Sequence, residues 1–168
     1  MAAGPDLPGV VAALSARGAR HVVIGGFAVI AHQFIRATED VDVLVPDDPD
    51  NDARLALALE DLGARLPGGE PATVEWLGEH DHARLESAAH GLVDVVREGV
   101  APLDFASVQA GAVEGEVQGV AIRVAGLASL VALKRLAGRP RDRLDLEELA
   151  ARHGELPIVA VPGLDPGA

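Results

Sequence analysis

Residues 23–45 read VIGGFAVIAHQFIRATEDVDVLV. A hydrophobic strand is expected over 21–24, and it runs into Gly25-Gly26. The glycines open an apolar helix expected over 27–34. A second strand follows over 41–45, stopped by Pro46, and it carries Asp40 and Asp42 at alternate positions. Side chains two apart on a strand share a face, so Asp40 and Asp42 sit side by side while Val41 and Val43 point the other way. Adjacent carboxylates repel unless a positive charge lies between them. A divalent metal supplies that charge. Glycines at the start of a helix let a phosphate approach exposed backbone N–H groups. A phosphate cradle beside a metal-binding carboxylate pair is the equipment of phosphoryl or nucleotidyl transfer.

Outward from this stretch, apolar residues at Leu7, Val10, Val11 and Leu14 mark a helix over 5–17, closed by Gly18. The acidic run 47–52 is a loop whose end caps a helix over 53–62, with Gly63 as its stop. Pro67-Gly68-Gly69 is a turn. Residues 73–77 and 82–86 read as strands, and 92–96 (LVDVV) as a buried strand. A short helix is expected over 105–110, a strand or hairpin over 116–124, and helices over 127–136 and 142–152. Prolines and glycines crowd the stretch from Pro157, which reads as extended or loose. The expected architecture is one α/β (α+β) domain over 1–154, a mixed sheet flanked by helices with a helical C-terminal end, followed by a tail over 155–168.

Composition narrows the function. A chain of 168 residues can bury a real core. No apolar run reaches membrane-spanning length and the first residues form no leader, so the chain reads as soluble and cytoplasmic, with no membrane partner. The absence of cysteine removes disulfides and thiolate metal sites. A net charge of −12 argues against a general electrostatic footprint for nucleic acid, so any RNA contact needs a local basic patch. Three Phe, one Trp and no Tyr make no base-stacking platform. Of the 14 basic residues, Lys134 is the lone lysine.

Asp94 is the third candidate carboxylate. Between Val93 and Val95 in a buried-looking strand it is costly unless paired or metal-bound, the alternative being a strand-edge Asp that faces water. It either completes a two-metal site with Asp40 and Asp42 or acts as the base that deprotonates an acceptor hydroxyl. Lys134 sits in LVALKRLAGRPRDRLDLEEL. It offers a compact charge for a triphosphate, and Lys134→Ala is expected to weaken nucleotide binding while leaving the fold intact. The arginines at 135, 139, 141 and 143 either pair with Asp142 and Asp145, touch a polyanion, or form a solvated face that complements a helix dipole. His80-Asp81-His82 reads as a solvated loop, and Ser107 and Ser129 lack the company of a nucleophile.

The pattern Gly25-Gly26-x-Ala28, Arg36-x-Thr38-x-Asp40-x-Asp42, a later carboxylate strand with Asp94, and Lys134-x-x-x-x-Arg139-Pro140-x-Asp142-x-x-Asp145 resembles the DNA polymerase β-like nucleotidyltransferase superfamily. Within it the chain is most similar to small bacterial nucleotidyltransferases of type IV toxin–antitoxin (abortive-infection) systems. The resemblance implies two Mg²⁺ on the aspartates. It also implies transfer of a nucleoside monophosphate from an NTP such as ATP to an acceptor hydroxyl. In these terms Asp40, Asp42 and Asp94 hold metal. Gly25, Gly26, Thr38, Lys134 and Asp142 serve the nucleotide, Arg36 supports the carboxylates, and the pattern leaves the base open between Asp94, Asp142 and Asp145. Well-known members carry Gly-Ser where this chain has Gly26-Phe27, so only backbone is offered there. The acceptor is expected to be tRNA or a protein hydroxyl, with a cognate antitoxin as partner. The alternatives are an aminoglycoside-type antibiotic, which suits the acidic surface, or a catalytically inactive partner-binding module. No large C-terminal helical domain is present in the sequence, so part of the acceptor surface is expected from a partner or a second copy in a homodimer.

Overall fold

The computed structural model describes residues 3–97 and 99–167. Its elements run α1 (Leu7–Ala16), β1 (Val22–Ile24), α2 (Gly25–Ala31), β2 (Asp40–Val45), α3 (Pro49–Asp61), α4 (Val74–Glu79), β3 (His82–Ser87), β4 (Gly91–Arg97), α5 (Phe105–Ala110), β5 (Val113–Val117), β6 (Val120–Val124), α6 (Leu127–Ala137) and α7 (Pro140–His153). The six strands form one sheet in the order β3-β4-β2-β1-β6-β5. β2 runs parallel to β4 and β1 parallel to β6, while the β1–β2, β3–β4 and β5–β6 pairs are antiparallel. The sheet is therefore mixed, as the sequence predicts. None of the described helices is long and apolar enough to cross a membrane.

Alternation along the central strands sorts the two faces. Val41, Val43 and Val45 of β2 and Val93 and Val95 of β4 enter the main core with Leu7, Val10 and Leu14 of α1 and Leu55 and Leu59 of α3. The residues between them face the opposite side. There Val22, Ile24 and Leu44 pack against Phe105 and Val108 of α5. That short helix covers the Leu44 end of the face, and Asp40, Asp42 and Asp94 lie beyond it on the same face.

Four local readings change, three of them through a cap or a turn. Residues 73–77 are not a strand. Thr73 accepts a hydrogen bond from Trp76 N at 3.2 Å and so starts α4. The acidic run is not all loop, because Asp48 accepts from Asp50 N and Pro49 occupies the first helical position of α3. The helix after the glycines ends at Ala31 instead of running to 34, since Gln33 takes a left-handed φ of 73°. The hairpin starts earlier than expected, at Val113.

Residues 155–167 form no helix or strand. They lie against α6. Val161 is buried, and Arg135 pairs with Asp165 at 2.6 Å and donates to Val159 O at 3.3 Å.

Candidate active site

The parallel pairing of β2 with β4 sets Asp42 directly beside Asp94 in register. With Asp40 one alternation away, the three carboxylates present ligand oxygens within 4.8 Å of one another. Burial pushes the Asp42 carboxyl up to about 7, the charges of Asp40 and Asp94 push the same way, and Lys134 and Arg139 pull it partly back. Asp94 is raised as well, by burial and by Asp40, against the pull of Arg84 and His82. Asp94 Oδ1 is buried and accepts no hydrogen bond, although His82 Nε2 lies 3.3 Å from it. An orphaned buried oxygen among repelling carboxylates fits an all-oxygen site for a hard divalent cation.

Two residues of this site escape a reading of the sequence. Arg84 Nη1 stands 2.8 Å from Asp94 Oδ2 and 3.4 Å from Asp40 Oδ2. His82 opens the strand expected over 82–86, β3, and approaches Asp94, a contact that the reading of His80-Asp81-His82 as a solvated loop does not give it. The two alternate along β3, whose register sets Arg84 opposite Asp94. The H-x-R spacing is visible in the sequence, but the antiparallel pairing that makes it meaningful is not.

Gly25 and Gly26 have steric reasons that the phosphate reading does not need. Gly25 has φ +65°, and a Cβ there would lie 2.1 Å from Asp42 Oδ2. A Cβ on Gly26 would lie 2.4 Å from Thr38 Oγ1, which donates to Asp40 O at 3.2 Å. The glycines thus let α2 start against the strand that carries the aspartates. Gly63 shares the backbone conformation, with φ +60°, but faces open space. We expect Gly63→Ala to cost ~1 kcal/mol and Gly25→Ala at least ~3 kcal/mol in urea unfolding. Equal costs would show that the approach of Asp42 is not what requires the glycine.

Lys134 is buried. Its Nζ lies 2.9 Å from Asp142 Oδ1 and 2.8 Å from Asp145 Oδ2, both carboxylates on α7. Burial works to raise Asp142, but hydrogen bonds from Arg139 and Lys134 hold it below the usual carboxylate range. Arg139 also closes a capping box there, its N–H donating to Asp142 Oδ2 at 3.2 Å. Arg36 pairs with Asp145, Nε to Oδ1 at 2.7 Å, and not with Asp40 or Asp42. The arrangement corrects two expectations. Arg36 steadies the C-terminal helix rather than the carboxylate pair. Asp142 and Asp145, each 1% exposed and held by cations, are not free to act as the base.

These groups surround a cavity of about 230 Å³. Its lining brings together the acids Asp40, Asp42, Asp94 and Asp142, the cations Arg36, Arg84, Lys134, Arg139 and Arg141, and Gly25, Gly26 and Thr38. A second cavity of about 500 Å³ shares Asp42, Asp94, Arg84 and His82 and adds an apolar wall of Leu130, Leu133 and Leu136. A separate hollow of about 450 Å³, near Arg20, His21 and Arg123, includes none of the acids. The site is therefore a slot lined by both signs of charge, with a larger groove beside it.

No protein-family model matches the chain, and no curated protein sequence matches it. Solved structures do. ANT(2'')-Ia in complex with adenylyl-2''-tobramycin is 19% identical with a TM-score of 0.58, the match covering 86% of this chain and 85% of that one. The solution structure of the antibiotic-resistance factor ANT(2'')-Ia is 17% identical with a TM-score of 0.58, over 86% and 80% of the two chains. An antigenic nucleotidyltransferase-like protein from Paracoccidioides brasiliensis is 14% identical with a TM-score of 0.58, over 87% and 73%. With its mixed six-stranded sheet and this agreement along most of its length, the chain has the nucleotidyltransferase fold.

Proposed function

We propose that the protein is a Mg²⁺-dependent nucleotidyltransferase that moves a nucleoside monophosphate from an NTP to an acceptor hydroxyl. One observation carries the reading: three carboxylates with ligand oxygens within 4.8 Å line the same slot as Arg36, Lys134, Arg139 and Arg141. Asp40, Asp42 and Asp94 would hold Mg²⁺, which neutralises charge on the triphosphate and on the attacking oxygen. Gly25 and Gly26 let the phosphates lie close to backbone. Lys134, Arg139 and Arg141 face the triphosphate, with Lys134 also fixing α7. Asp94 takes the acceptor proton through Oδ1, which accepts no hydrogen bond and has His82 Nε2 3.3 Å away. The acceptor oxygen then bonds to the α-phosphorus, the bond to the β-phosphate oxygen breaks, and pyrophosphate leaves.

The acceptor we favour is a small cationic polyol of the aminoglycoside type. Little of the basic stretch is left for a polyanionic acceptor: Arg135 pairs with Asp165, and Arg139 and Arg141 line the slot assigned to the triphosphate. The remaining charge balance is strongly acidic. ANT(2'')-Ia, whose structure holds an adenylylated tobramycin, shares the fold. The second reading, a toxin-type enzyme acting on tRNA or a protein beside an antitoxin, rests on the motif resemblance of Arg36 to Asp42 and Lys134 to Asp145. Labelled ATP, CTP, GTP and UTP with Mg²⁺, offered with tobramycin, with total tRNA or with cell protein, separate the two. Label on tobramycin alone supports the first. Label on RNA or protein alone replaces it with the second, and no transfer to any acceptor leaves a binding module.

The raised Asp42 makes a pH prediction. The folded protein holds this proton up to about pH 7, whereas an unfolded aspartate loses it near 3.8. The native state therefore binds more protons in that window, and metal-free stability falls as pH rises through it. Mg²⁺ binds the deprotonated form. We expect Mg²⁺ to raise the melting temperature more at about pH 8 than at about pH 6. A shift of equal size at both values would disconnect Asp42 from the metal.

A further inference from the structure

Arg84 holds the place of an ion. Its Nη1 lies 2.8 Å from Asp94 Oδ2 and 3.4 Å from Asp40 Oδ2, oxygens of two of the three clustered carboxylates. A Mg²⁺ ion needs the lone pairs of such oxygens at about 2.1 Å. A guanidinium nitrogen and an ion cannot share that position. The two partners of the pair also differ in freedom. The Arg84 side chain is 47% exposed on edge strand β3, whereas that of Asp94 is 7% exposed inside β4. Arg84 can move into water at little cost, but Asp94 can neither leave nor stay without a cation. Arg84 lines both the slot and the larger groove, so it has room on the far side.

We propose that Arg84 is a placeholder cation that neutralises Asp40 and Asp94 while no metal is bound, and that a divalent ion enters only by displacing it. Arg84 then sets the metal affinity of the site. The inference rests on the nucleotidyl-transfer reading of the same carboxylates. Its electrostatic logic is an exchange. One guanidinium leaves three carboxylates with net charge, so a doubly charged ion gains more from them than Arg84 loses. The arginine lessens the repulsion between Asp40 and Asp94 before the metal arrives.

Isothermal titration of the full chain with MgCl₂ alone, without nucleotide, tests the exchange. Wild type is compared with Arg84→Ala, Arg84→Gln and Arg84→Lys. Arg84→Ala and Arg84→Gln should bind Mg²⁺ about fivefold more tightly, because the competitor is gone. Arg84→Lys, which keeps a cation on the strand, should stay near wild type. Arg84→Gln retains the stem and a hydrogen-bond donor, so it gives the answer if the alanine variant does not fold. A merely structural arginine would lower the metal-free melting temperature and leave Mg²⁺ affinity alone. Equal or weaker Mg²⁺ binding in folded Arg84→Ala or Arg84→Gln, with wild type binding normally, overturns the placeholder role and leaves the enzyme reading standing. Absence of Mg²⁺ binding in all four proteins overturns both.

Discussion

Asp42→Asn should abolish nucleotidyl transfer and still give a folded protein. Asp42 is the carboxylate between the other two in the pairing of β2 with β4, and burial has already pushed it up to about 7. Asparagine keeps its volume but cannot supply the charge that a hard cation needs. Loss on the order of 10³-fold in transfer rate is expected, which corresponds to ~4 kcal/mol of transition-state stabilisation. Without metal, the variant should be more stable than wild type at about pH 8, because it removes a charge that both burial and two neighbours oppose. The Mg²⁺-induced rise in melting temperature should disappear. Label transfer and thermal melts on the same preparation check all three. Transfer at wild-type rate in Asp42→Asn removes the aspartates from the chemistry.

Lys134→Ala should be a stability mutation before it is a binding mutation. The sequence alone suggests the opposite, a pocket lysine whose removal leaves the fold intact. In the structure Lys134 sits between Asp142 and Asp145, each 1% exposed. Arg139 and Arg36 still hold those acids from the other side, but the shared ammonium between them is lost. Removing one partner of a buried ion pair costs about 3–5 kcal/mol, out of roughly 5–15 kcal/mol for a whole domain. A fall in melting temperature of roughly 10 °C follows. Lys134→Met combined with Asp142→Asn should recover part of the loss, because it removes one acid along with the ammonium and leaves Asp145 paired with Arg36. If Lys134→Ala melts with wild type, the buried network contributes nothing and the lysine serves only nucleotide.

Much of the site was legible in the sequence because it depends on short-range periodicity. The i, i+2 spacing of Asp40 and Asp42 and the Val-Asp-Val setting of Asp94 place three carboxylates on strands, each facing away from its valines. The glycine pair before them marks a close approach, though the structure shows that Asp42 and Thr38 are what approach. Element types were legible for the same reason, and the exception at 73–77 turned on a single threonine cap.

The cations were assigned less well, since their partners are distant in the chain. Arg36 reaches Asp145 across 109 residues, and the Arg84 pairing with Asp94 needs the register of a hairpin. Lys134 lies within a helical turn or two of basic neighbours, and nothing in its spacing says that α7 folds back to bury it. The sequence by itself determined the fold class, the central strands and the identity of the three acids, because alternation and turn chemistry are local. Tertiary structure alone decided which cation meets which carboxylate. That choice depends on strand register and helix docking, and in a buried site it separates a lysine that holds the fold together from an arginine that keeps a place for metal.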